Sequence, residues 1–123
     1  EQNQCCMVRR DNREKAFVPL AQLEQSAASL LDAVHEGLYQ RAKKNLEEHT
    51  YEAHSLEEAR ALQQEHGGFI RTMWCGDEAC EDMMKEKAGL SSRCMPFEQE
   101  HLADVCPCCG KPAKAMVVWG KAY

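Results

Sequence analysis

Cys75-Gly76-Asp77-Glu78-Ala79-Cys80 pairs two thiols across four intervening residues, and Cys106-Pro107-Cys108-Cys109-Gly110 offers a second pair after the interval 81–105. A tetrahedral zinc ion needs four sulfurs at about 2.3 Å. Two short chelate loops bring two sulfurs each at low loop-closure entropy. Gly76 and Gly110 follow ligand positions, where the chain must turn tightly and aim N–H groups at sulfur. Asp77 is placed to cap a helix whose first turn contains Cys80, and there the backbone dipole favours thiolate over thiol. The second pair has three candidates for two places. The C-x2-C spacing with glycine directly after selects Cys106 and Cys109, and Cys108 then points away. Four thiolates make a closed, structural site, whereas a catalytic zinc keeps a position open. Cys94, alone in a predicted strand, reads as a small buried hydrophobe.

Outward from the clips, Phe69 to Trp74 reads as a strand and Glu78 to Lys87 as a helix stopped by Gly89; Ser92 to Phe97 and Lys114 to Trp119 read as two further strands. The expected result is a small α+β unit with about three antiparallel strands, stabilised by zinc. Upstream, Ser55 and Glu58 form a capping box, Leu56, Ala59 and Leu62 follow at helical spacing, and Gly67-Gly68 is a stop. Before it, Leu20, Leu23, Ala27, Leu30, Val34, Leu38, Ala42 and Leu46 recur every three or four residues behind Pro19. That pattern predicts one amphipathic helix to about Thr50, roughly 45 Å long, a rod that links other parts. Cys5 to Arg10 and Lys15 to Val18 read as two strands around the turn formers Asp11 to Glu14. Because a lone hairpin is marginal in water, their sheet is expected to continue upstream. The beginning, Glu1-Gln2-Asn3-Gln4, carries neither Met nor a basic-then-apolar leader and reads as a piece that continues upstream.

Composition narrows the function classes. The 123 residues carry 15 basic and 20 acidic side chains, net -5, which argues against a polyanion-wrapping domain. The longest uninterrupted apolar run, Ala115 to Trp119, is five residues, far short of a membrane span. The 8 cysteines crowd toward the end of a chain rich in acidic helix, which points to metal chemistry in a reducing cytoplasm rather than a secreted disulfide framework. From Val105 to Tyr123 there are three lysines and no acid, offsetting the charge of a four-thiolate zinc centre. No His-Glu-x-x-His, Gly-x-Ser-x-Gly or phosphate-loop pattern occurs, so no catalytic residue is assigned. His35, His49, His54, His66 and His101 read as solvated or capping side chains.

Several ordered segments resemble the C-terminal part of the prolyl-tRNA synthetase family, in the form that ends in an added zinc domain. They are Val8-Arg9-Arg10-Asp11, Arg13-Glu14-Lys15, Thr50-Tyr51-Glu52-Ala53, Trp74-Cys75-Gly76-Asp77, Ser92-Arg93-Cys94 with Pro96-Phe97, Cys109-Gly110-Lys111-Pro112-Ala113-Lys114 and Trp119-Gly120-Lys121-Ala122-Tyr123. The resemblance runs from about Gln4 to Tyr123. It implies a class II aminoacyl-tRNA synthetase as parent, a cytoplasmic homodimer that activates proline with ATP and Mg²⁺ and transfers it to tRNA(Pro). It further implies that residues 1–20 are the last strands of an α/β anticodon-binding domain, 20–66 linking helices and 67–123 the zinc-binding domain. Carried over by position, the zinc ligands are Cys75, Cys80, Cys106 and Cys109, and the terminal carboxylate of Tyr123 reaches toward the catalytic domain, whose ATP and proline pockets lie upstream. Arg9 and Arg10 are candidate tRNA contacts. Cys108, between the last two ligands, is a departure from the family pattern.

Two other classes stay open on the residues alone. A free-standing zinc module binding nucleic acid calls for a basic, aromatic-studded face, against a net charge of -5 and two tryptophans. A thiol redox protein built on Cys106 to Cys109 calls for that pair at a helix start after a strand, where Pro107 and Gly110 favour a turn.

Overall fold

The computed structural model describes residues 3–123. The chain divides into two compact units, one ending at Leu46 and the other running Glu47–Tyr123. In the first, strands β1 (Gln4–Val8) and β2 (Lys15–Pro19) pair antiparallel. Their turn is fixed locally: Arg9 N–H donates to the Glu14 carbonyl at 2.8 Å, and Asn12 Oδ1 accepts from Glu14 N–H at 2.9 Å. Arg9 sends its fork to both oxygens of Asp11, at 3.1 and 2.9 Å, and a further N–H to the carbonyl of Ala33 on α1 (Leu23–Glu48) at 3.1 Å. The guanidinium, through its hydrogen bonds, holds the Asp11 carboxyl below its ordinary range. Arg10 is exposed in the same turn.

The helix begins later than its apolar periodicity suggested. Pro19 stays in β2 opposite Gln4, at a strand end where its missing N–H is tolerated. Leu20–Gln22 then form a tight turn, tied by Leu20 N–H to the Asn3 carbonyl at 2.9 Å. What remains is 26 residues, about 39 Å at 1.5 Å per residue. None of them is buried, and Leu31, Leu38, Tyr39 and Leu46 lie exposed.

In the second unit four strands form a mixed sheet ordered β3-β4-β6-β5, from β3 (Thr50–Glu52), β4 (Phe69–Trp74), β5 (Ser91–Cys94) and β6 (Ala115–Gly120). The three expected strands pair antiparallel as β4-β6-β5, and β3 adds a short parallel strand at the β4 edge that had not been foreseen. A parallel neighbour requires a crossover. Helix α2 (Leu56–Glu65) supplies it, capped by Ser55, whose hydroxyl accepts from Glu58 N–H at 3.1 Å while the Glu58 carboxylate accepts from His54 N–H at 2.7 Å. Helix α3 (Glu78–Met83) follows β4 and widens into a looser turn, Met84–Ala88, before Gly89 at φ 69°.

The expected strand to Phe97 stops at Cys94, because Pro96 cannot donate to a ladder. In its place the Gln99 side chain takes up β6: its Oε1 accepts from Met116 N–H at 2.6 Å and its Nε2 donates to the Met116 carbonyl at 3.3 Å. The main core cluster lies on one face of the sheet, where Ile70, Val117 and Trp119 pack with Ala53, Ala59, Met84, Ala88 and Leu90, while the paired Met73 and Met116 are buried on the other face. Leu56 and Leu62 of α2 close over it.

The return from α2 into β4 depends on Gly68. Its φ is +81°, and a Cβ built there would sit 2.3 Å from the His49 carbonyl oxygen, which already accepts from Phe69 N–H at 2.8 Å. Gly68→Ala should destabilise this unit by about 1–3 kcal/mol or more, combining left-handed strain with displaced backbone. Gly67→Ala, at φ +67° but facing open space, should cost less. Equal urea midpoints for the two variants would remove Gly68 from this role.

Candidate metal centre

Both clips hang from the sheet. β4 runs straight into Cys75, and Gly76 at φ +88° reverses the chain so that Asp77 N–H points back at the Cys75 sulfur. Asp77 then caps α3 by accepting from Ala79 N–H at 3.2 Å, which sets Cys80 on the helix's first turn. The second clip is the tip of a tight hairpin. Cys106 N–H donates to the Lys111 carbonyl at 2.8 Å, Gly110 N–H to the Cys106 carbonyl at 2.9 Å, and Ala113 N–H to the Asp104 carbonyl at 2.9 Å, with Gly110 at φ +70°. Lys114 N–H donates to the Trp74 carbonyl at 2.7 Å and Lys111 pairs with Asp77 at 3.2 Å, so the clips are also joined to each other. The Trp74 indole N–H donates to the Asp77 carbonyl at 3.2 Å. Sequence reasoning had missed these ties, although a tryptophan beside the first clip and lysines behind the second were visible signals.

The sulfurs of Cys75, Cys80, Cys106 and Cys109 lie within 4.8 Å of one another. Cys75 Sγ is 3.6 Å from Cys80 Sγ and 3.6 Å from Cys109 Sγ. A tetrahedron with 2.3 Å arms has edges of about 3.8 Å, so the spacing suits a metal–thiolate centre, and it is too long for the roughly 2.05 Å of a disulfide. All eight cysteines are free thiols. Cys75, Cys80 and Cys106 are buried and Cys109 is exposed.

Four sulfurs this close cannot all ionise without a cation among them. Burial pushes up the thiols of Cys75 and Cys80, and the surrounding sulfurs push Cys80 further. Cys106 takes the charge instead. Burial acts to raise it, but the backbone N–H groups of Cys108, Cys109 and Cys75 prevail and bring it to about 7. Such N–H groups aimed at sulfur are what a metal-bound thiolate needs around it. Outside the pocket, Ala79 N–H and Lys111 hold the Asp77 carboxyl below its ordinary range.

Cys108 stands outside the four-sulfur group yet packs against it, half-buried, with its Sγ donating to the Cys80 carbonyl at 3.6 Å. Burial and then the negative neighbours push its thiol up to about 12. Cys94 is exposed at the end of β5, contrary to the expectation of a buried one. Among the described residues no histidine joins the cluster: His101 bonds Asp104 at 2.8 Å, and His66 stacks on Tyr51 with centroids 5.2 Å apart. Tyr123 is exposed, with the Lys121 ammonium 5.7 Å from its ring centroid.

A family model described as "Prolyl-tRNA synthetase, C-terminal" matches residues 56–123. The chain is 55% identical over 123 residues to "Proline--tRNA ligase 2" of Bacillus cereus (strain ATCC 14579), covering 100% of this chain and 26% of that protein. It is 54% identical to "Proline--tRNA ligase" of Clostridium novyi (strain NT) and 50% identical to that of Clostridium botulinum (strain Okra / Type B1), each over 100% of this chain and 26% of the relative. The chain thus spans about a quarter of the length of these curated relatives.

Proposed function

This chain belongs to the prolyl-tRNA synthetase C-terminal family, and on that premise we propose that it is the zinc-stabilised, non-catalytic tail of a proline–tRNA ligase. The observation that carries the reading is the convergence of four cysteine sulfurs within 4.8 Å inside the matched residues 56–123. Cys75, Cys80, Cys106 and Cys109 hold Zn²⁺ in a closed site, and the ion's task is folding. It supplies no reacting group.

The parent enzyme activates proline with ATP and Mg²⁺ and transfers it to tRNA(Pro), as a cytoplasmic homodimer. Its catalytic domain and tRNA are the partners of this tail. Residues 1–20 close an anticodon-binding domain, 20–66 link, and 67–123 form the zinc domain, with α2 of the linking stretch packed into the core of the second unit. Of the two arginines proposed to face tRNA, Arg10 is the better placed for phosphate, since Arg9 is taken up by Asp11 and Ala33. Tyr123, exposed at the end, reaches its carboxylate toward the catalytic domain. Among the described residues no helix is long and apolar enough to cross a membrane.

Two measurements test this. Native mass spectrometry should find one zinc per chain. Proline-dependent ATP–pyrophosphate exchange should be absent from the chain alone and present when the chain is joined to the upstream three quarters of such a ligase. A metal-free, stably folded chain, or turnover by the chain alone, would overturn it.

A further inference from the structure

The four ligand residues are not equally buried. Cys75, Cys80 and Cys106 are 5%, 3% and 2% exposed, while Cys109 is an exposed residue. The sulfur of this exposed residue, part-buried where the two meet, lies 3.6 Å from Cys75 Sγ, on the other clip and 34 residues away in sequence. A metal–thiolate sulfur that solvent reaches is a nucleophile toward small electrophiles, whereas the buried three are screened. We propose that Cys109 is an oxidation site at which a hydroperoxide is reduced, and that Cys75 resolves it into a Cys75–Cys109 disulfide that expels the metal. This inference rests on the metal reading given above.

The chemistry closes as follows. The Cys109 sulfur attacks the outer oxygen of the hydroperoxide; an S–O bond forms, the O–O bond breaks, and the departing alkoxide or hydroxide takes a proton from water. The Cys75 thiolate then attacks the Cys109 sulfur, forming the S–S bond and breaking the S–O bond, and hydroxide leaves. The two sulfurs have together lost two electrons, and the peroxide has gained them. Closing the gap from 3.6 Å to a bonded distance asks for a movement of about 1.5 Å, small for a hairpin tip. Only Cys80 and Cys106 then remain as ligands, too few to hold the ion. The new bond joins the same clips the metal joined, so the fold is partly held while metal is absent. Reductant and zinc restore the original state.

The zinc-loaded chain is treated with hydrogen peroxide while a chromogenic chelator reads released zinc. Disulfide-linked peptides are mapped after alkylation, and dimedone traps sulfenic acid. The expected result is zinc release in one-to-one proportion with the Cys75–Cys109 linkage, dimedone on Cys109, and reversal by dithiothreitol with added zinc. Cys108→Ser, which keeps all four ligands, should give the same release and the same linkage. A zinc-loaded chain whose first linkage or adduct maps to Cys108 or Cys94, or whose zinc stays bound while peroxide is consumed, overturns the oxidation site and leaves the metal reading standing. A chain that takes up no zinc overturns both.

Discussion

Cys106→Ser is expected to release the metal and abolish the cooperative unfolding of Glu47–Tyr123. Structural zinc in small domains contributes an apparent 10–16 kcal/mol or so, and the whole stability of a domain is about 5–15 kcal/mol. The core of this unit is modest: its buried apolar side chains include three alanines, with Trp119, Ile70, Met84, Leu90, Met116 and Met73 as the large members. Such a core does not stand in for the ion. Cys106 is the most demanding ligand to replace, since it is 2% exposed and receives three backbone N–H groups. A serine hydroxyl there is a poor zinc ligand, and it leaves those donors aimed at a neutral oxygen. Cys75→Ser and Cys109→Ser should likewise release metal and lower the melting temperature. Cys108→Ser and Cys94→Ser should retain both, because neither sulfur belongs to the group within 4.8 Å. Zinc content by mass spectrometry and a circular-dichroism melt decide it. A Cys106→Ser chain that melts cooperatively with zinc bound would show that the ligand set is wrong.

Features governed by a few neighbouring residues were legible before the structure. The β4 strand has the bounds that its composition suggested, Phe69–Trp74, because Gly68 and Cys75 punctuate both ends. Ser55 and Asp77 cap as their types and positions indicate. The clips converge as their spacing implies, since a chelate loop is a short-range device. What escaped was non-local. β3 is three residues long and exists only because β4 lies beside it, so no periodicity could mark it. The shortened β5 reflects a competition the strand pattern does not contain, in which Gln99 occupies Met116 where Pro96 cannot. Cys94 is exposed at the strand's end, next to a register shift that the sequence pattern does not mark. Arg9 shows the converse: Asp11 two residues on was a readable local partner, while the Ala33 carbonyl, 24 residues away, was not.

Trp119→Ala should cost the second unit about 3–5 kcal/mol, the range for removing a large buried aromatic. Trp119 is 1% exposed on β6, and it packs with Ile70, Met84 and Leu90 on the face that α2 covers. Its indole N–H donates to Thr72 Oγ1 at 2.9 Å, and Thr72, itself fully buried, donates onward to the Met73 carbonyl at 3.1 Å. The alanine variant therefore opens a cavity and leaves a buried hydroxyl short of one donor. Trp119→Phe separates the two effects. It keeps most of the ring volume and deletes the hydrogen bond, so its cost should be about 1–3 kcal/mol, the desolvation of an oxygen left without its donor. In urea titrations of the zinc-loaded chain both variants should lower the midpoint, alanine by more, with zinc stoichiometry unchanged. That last condition matters because the α2-covered core around Trp119 and the cysteine cluster are distinct groups that meet at Trp74 and Cys108, which pack against both. If Trp119→Phe lost zinc, the core and the metal centre would be one cooperative device rather than two supports of the same sheet. If Trp119→Ala left the midpoint where it was, the ion alone would be holding the unit together.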